Sequence, residues 1–142
     1  MDRLLLNLAI CMFILVATVA VHTMGMMMVL QFNARQARRP KAHLLRKRNF
    51  HIVSGAVLIM FLVSLFEVLI WACTYLVLNA IEGLEKAIYF SMVTFTTLGY
   101  GDVLLDERWQ LLASFEAANG IIMFGWTTAI IMAVVQRVHF RD

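Results

Sequence analysis

The sequence predicts an all-α membrane protein with three transmembrane helices and one re-entrant half-span, and three observations lead there. Hydrophobic residues make up 62% of the 142 positions and charged residues only 15%, whereas a soluble domain is near half apolar and a quarter charged. The apolar residues gather into stretches of the length, about 20 residues, that crosses a bilayer. A fourth apolar stretch is too short to cross.

Leu4 to Phe32 is the first span and carries no formal charge with His22 neutral. Arg3 ahead of an apolar run invites comparison with a cleaved leader. The run, however, continues past the roughly 7–15 residues of such a segment, and cleavage would leave the following loop on the wrong side. An uncleaved span is expected.

That loop, Gln31 to Asn49, holds the single proline, Pro40, and no acid. Its bases are Arg35, Arg38, Arg39, Lys41, Arg46, Lys47 and Arg48. Ala34 to Ala42 is expected to be partly helical at the membrane surface. Between two spans such a run is the cytoplasmic loop of the positive-inside rule rather than a nucleic-acid patch, and its arginines can rest on anionic headgroups. The predicted topology puts the N-terminus outside, the loop inside, Asn79 to Trp109 outside and the C-terminus in the cytoplasm. The expected location is the plasma membrane, or the inner membrane of a bacterium.

Ile52 to Leu78 is the second span, interrupted by one acid, Glu67. Asn79-Ala80-Ile81-Glu82 has the spacing of an N-cap with a glutamate three residues on. The short stretch Ala87 to Phe95 is therefore read as part of a helix from Ile81 or Leu84 to Thr94 or Thr96, descending partway into the membrane. Leu111 to Val135 is the third span, with Glu116 its single acid. Gln136 to Asp142 are expected to be too few for a ligand-binding module. No span repeats arginine every third residue as a voltage sensor does.

The segment between spans two and three is acidic, with Glu82, Glu85, Asp102, Asp106 and Glu107 against Lys86 and Arg108. Its centre is Thr94-Phe95-Thr96-Thr97-Leu98-Gly99-Tyr100-Gly101-Asp102. Non-helical backbone is expected from Thr97 to Asp102. At membrane depth that is tolerated only where the chain is buried or lines a watery cavity. Gly99 and Gly101 admit positive φ.

This run, after a short half-span and between two full spans, resembles the selectivity-filter signature of the potassium-channel family. The resemblance covers Phe50 to Val138, which would be outer helix, pore helix, filter and inner helix. It implies a small bacterial-type subunit with one extra span, so residues 1–49 are set apart from a pore unit at 50–142. It also implies a homotetramer that conducts potassium passively. Carbonyls of Thr97, Leu98, Gly99, Tyr100 and Gly101 would replace the ion's hydration shell, with the Thr97 hydroxyl as innermost ligand. Thr96 and Asp102 would support the filter and its outer mouth. The half-span helix would direct its negative end at the cavity below. Potassium is the expected permeant ion and no cofactor is implied. No nucleophile, metal set or phosphate loop points to an enzyme.

Departures from the family pattern matter as well. Leu98 stands where the family most often has valine or isoleucine, and Val93 where some members have a glutamate paired with the aspartate after the filter. Asp102 is then left with Trp109, Tyr89 or nearby main chain as partners. Gly120, 18 residues past Asp102, and Gly125 are candidate inner-helix hinges, or close-packing glycines. Asn119, Thr127 and Thr128 either face a cavity or bond within their helix. Glu67, Glu116 and His22 are candidate pH-sensitive groups, or hydrogen-bonded groups that fix helix packing. Cys11 and Cys73 are expected to be reduced thiols, and Met24, Met26, Met27 and Met28 packing or lipid-facing residues rather than a metal site. Two rival roles remain at this level: a non-conducting accessory subunit and a poorly selective cation channel.

Overall fold

The computed structural model describes residues 2–37 and 45–139. Four α-helices follow one another: α1 Asp2–Ala37, α2 Leu45–Val77, α3 Leu84–Phe95 and α4 Gln110–His139, the last entered through a 3-10 turn at Glu107–Trp109. Three stretches within them, Leu4–Arg35, Asn49–Val77 and Glu107–Val138, are long and apolar enough to cross a membrane. The 12 residues of α3 extend about 18 Å at 1.5 Å per residue, well short of the roughly 30 Å hydrocarbon layer. The all-α architecture read from the sequence is the one observed. Pro40, Arg38, Arg39 and Lys41 lie outside the described residues, whereas Arg35 falls in α1 and Arg46, Lys47 and Arg48 fall in the first turn of α2. The helix expected over Ala34 to Ala42 is described as far as Ala37.

The expected capping box is not formed. Asn79 does not start α3; it ends α2. Its φ is 51°, its N–H reaches Leu76 O at 3.0 Å, and the N–H of Ala80 reaches Tyr75 O at 2.8 Å. This is a Schellman closure, with asparagine taking the left-handed position that glycine usually fills. α3 begins at Leu84, the later of the two starts read from the sequence, after Gly83, whose φ of 91° makes the turn and which offers no side-chain cap. Glu85 in the first turn faces the positive end of the helix dipole.

α1 packs on both α2 and α4, while α2 and α4 hold α3 between them. One cluster of buried side chains, including Trp71, Tyr75, Phe90, Phe95, Leu112 and Met123, surrounds α3. A second, formed by Val29, Ile52, Ala56, Met60, Ile130 and Val134, joins the three long helices at their other end. In lipid these contacts gain little from the hydrophobic effect and depend on close approach and polar ties. Gly25 supplies one close approach, since a Cβ there would collide with Val63 of α2. The Asn7 side chain donates to Arg108 O at 2.8 Å, so α1 begins at the same end as the loop that follows α3. Cys11 is buried, Cys73 exposed, and both are free. Met24, Met27 and Met28 are exposed.

Candidate functional site

α3 closes as α2 does. Thr97 N–H donates to Thr94 O at 2.9 Å and Leu98 N–H to Val93 O at 3.0 Å, a second Schellman closure with Thr97 in the left-handed position at φ 60°. A β-branched residue with positive φ is an outlier and is stored strain. The chain then changes hand repeatedly: among the described residues φ is positive at Thr97, at Gly99 (54°) and at Gly101 (77°), and not at the residues between them. Sequence reasoning anticipated the two glycines and missed Thr97, because threonine carries no local mark of that conformation.

Beyond this strand Asp102 turns back on α3. The Tyr89 hydroxyl donates to Asp102 Oδ2 at 2.6 Å, and Val103 N–H donates to Oδ1 at 3.1 Å. Of the three partners considered for Asp102, tyrosine and main chain hold it. Trp109 does not, and its buried Nε1 has no partner among the described residues. The Tyr89 hydrogen bond holds the Asp102 carboxyl below its ordinary range, against a smaller opposing effect of burial. The same bond pushes the Tyr89 hydroxyl up. A cavity of about 300 Å³ lies behind the strand, lined by Tyr89, Val93, Gly99, Gly101, Asp102 and Leu105 among others. Thr96 turns its hydroxyl back onto Met92 O at 2.8 Å, while Leu98 and Tyr100 stand exposed on the single chain.

Gly120 meets the end of α3 directly. A Cβ at that position would overlap the Phe95 carbonyl, whereas one at Gly125 would meet nothing within 4 Å. α4 runs unbroken past both. Gly120 is thus where the inner face of α4 touches the helix that precedes the strand.

The two intramembrane acids are both buried and both tie helices together. Glu116 of α4 accepts from the Tyr75 hydroxyl of α2 at 2.6 Å and is hydrogen-bonded to Ser91 Oγ of α3. Ser91 Oγ also lies 2.8 Å from Val68 O. Glu67 Oε1 lies 2.9 Å from His22 Nδ1 of α1. The other ring nitrogen of His22 is 3.4 Å from Thr127 Oγ1, and its ring stacks on Trp126 with centroids 5.4 Å apart. Asn119 is buried and donates to Thr18 Oγ1 of α1 at 2.9 Å, so it faces α1 rather than a cavity. Thr128 bonds within its own helix, to Phe124 O. Tyr75, Ser91 and Thr18 escaped sequence reasoning. Hydroxyl residues are common in membrane helices, and their partners lie 25 to 101 positions away.

The arrangement is a helix too short to cross a membrane, followed by a non-helical segment of alternating hand and held between two helices long and apolar enough to cross one. Its sequence places it: residues 50–137 match the ion channel family, and the chain belongs to that family. It is a multi-pass membrane protein of the ion channel class, with α3 and most of α2 and α4 inside the matched region. No curated protein and no solved structure matches the chain.

Proposed function

We propose that four copies of this chain surround one pore that conducts potassium selectively and passively, with residues 97–101 of each copy as one wall of the filter. The observation that carries the reading is the alternation of hand at Thr97, Gly99 and Gly101. In an ordinary extended strand successive carbonyls point to opposite sides. Backbone that changes hand at every second residue can keep them on one side, as a column of ion sites requires. Potassium sheds its water only where oxygens replace the shell from all directions, so one strand is insufficient and a closed ring of four is needed. Leu98 contributes through its carbonyl, so its larger side chain is compatible with the role.

Orientation follows from charge. The basic loop after α1 belongs in the cytoplasm, which puts the start of α1 and the acidic loop around Asp102 outside. An acidic mouth concentrates cations there.

The test is reconstitution of the purified protein in liposomes, with reversal potentials recorded across a potassium–sodium gradient and its mass measured in detergent. Strong preference for potassium, block by barium and a fourfold mass support the reading. Equal passage of sodium would make the pore a general cation channel, and absence of current from an assembled protein would leave an accessory subunit.

A further inference from the structure

Resting on that reading of the filter, we infer that Glu116 is a positioning residue for ion selection, and that it works as a neutral carboxylic acid that hangs the pore helix α3 between α2 and α4.

The hydrogens available to this cluster decide its protonation. Three contacts meet at this point: Tyr75 hydroxyl to Glu116 Oε2, Glu116 Oε1 to Ser91 Oγ, and Ser91 Oγ to Val68 O. Two hydroxyl hydrogens are available, one on Tyr75 and one on Ser91, and Val68 O can only accept. Three bonds need three hydrogens. If Glu116 were ionised, Ser91 would have to choose between it and Val68 O, and one contact would join two acceptors. With a proton on Oε1 the chain closes. Tyr75 donates to Oε2, Oε1 donates to Ser91, and Ser91 donates to Val68 O. Every group is then satisfied, as a buried polar cluster requires. Among the described residues no positive group is bonded to Glu116 to favour the ionised form: its partners are two hydroxyls, and Glu67, the nearest acid along α2, is occupied with His22.

The location gives this tie its consequence. Ser91 lies on the buried face of α3, two residues before Val93, whose carbonyl receives the N–H groups of both Leu98 and Gly99. Four residues along α4 from Glu116, Gly120 presses on the Phe95 carbonyl. Glu116 and Gly120 therefore grip α3 at two successive levels, one by hydrogen bond and one by contact. A pore helix of 12 residues held this way sets the depth and tilt of the strand that follows it. Loss of the tie lets the strand relax, and a relaxed ring of carbonyls discriminates less between ions of different size.

The experiment compares sodium-to-potassium permeability ratios for wild type and for Glu116→Ala, Glu116→Gln and Ser91→Ala, each reconstituted after its assembly state is checked. Glutamine keeps one donor and one acceptor in the same shape, so Glu116→Gln should keep the wild-type ratio. Glu116→Ala should raise the ratio about tenfold, as expected for losing a buried hydrogen bond in the conducting structure. Ser91→Ala, which removes one oxygen and little volume, should do the same in a protein that still assembles, and so stands in if Glu116→Ala does not fold. A wild-type ratio retained in Ser91→Ala would overturn the positioning role. A ratio as high in Glu116→Gln as in Ser91→Ala would overturn the neutral acid. A wild type that does not discriminate would instead sink the filter reading itself.

Discussion

His22 Nδ1 lies 2.9 Å from Glu67 Oε1 with neither side chain exposed. The same imidazole reaches Thr127 and stacks on Trp126, so one residue of α1 is bound to both α2 and α4. α1, which lies outside the matched region, is attached to α2 and α4 by polar chemistry as well as by packing. Removing one partner of such a buried hydrogen bond leaves the other unsatisfied, at a cost of about 1–3 kcal/mol. Glu67→Ala and His22→Ala should each lower the unfolding temperature of the detergent-solubilised protein markedly. The double variant should be more stable than the sum of the two losses implies. Additive losses in that cycle would show that the two side chains are neighbours without coupling.

The two glycines of α4 separate close packing from hinge motion. Gly120→Ala must push either α4 or the backbone of Phe95 aside, and overpacking of this kind costs about 1–3 kcal/mol. The displaced element is the end of α3, so conduction should fall along with stability. Gly125→Ala meets open space and gains helix propensity of about 1 kcal/mol. It should be at least as stable as the wild type. A Gly120→Ala protein that conducts and melts like wild type would refute the close contact. A Gly125→Ala protein of normal stability but altered open probability would establish bending at that point.

How far the sequence could be read depended on the range of the forces involved. Spans and half-span were legible because the bilayer sets length and polarity directly, residue by residue. The strand at 97–101 was legible through Gly99 and Gly101, whose missing side chains announce the backbone they permit. Asn79 was misread because the same amide serves two ends: a good N-cap is also, after glycine, the residue most at ease in the left-handed closure of a helix. The main-chain bonds to Leu76 O and Tyr75 O, not its own side chain, tie it to α2. The polar ties of Glu67, Glu116 and Asn119 were visible as costly residues in lipid, but their partners were not, since spacing along one helix carries no information about a neighbour 40 or 100 positions away.

The alternating strand makes its own demand on the glycines. With φ at 54° and 77° and no atom of the same chain within 4 Å of a Cβ at either position, what opposes substitution within one chain is backbone strain. Alanine in that conformation costs about 1–2 kcal/mol, once per subunit. Gly99→Ala and Gly101→Ala should therefore insert and assemble normally yet lose selective potassium current. Selective current at the wild-type level in Gly99→Ala would mean that residues 97–101 are not the ion path.

The Tyr89 to Asp102 bond yields a prediction in pH. The bond lowers the Asp102 carboxyl from its ordinary 3.8 and raises the Tyr89 hydroxyl from its ordinary 10.0. A depressed acid contributes stability that is complete above its ordinary value and disappears as pH falls through the lowered one. A raised phenol contributes stability that is complete below its ordinary value and disappears as pH rises through the raised one. The mouth of the strand should therefore keep one structure across the neutral range and lose it at the two extremes. Tyr89→Phe removes the first cause of both shifts while leaving the ring in place. With the largest lowering cause gone, the carboxyl should move back up towards its ordinary value, even though Val103 N–H still reaches it. Potassium flux titrated towards acid should then fail at a higher pH in Tyr89→Phe than in wild type, with little difference between the two near neutrality. Coincident acid limbs would mean that Asp102 is held by main chain alone and that the tyrosine contributes only its ring.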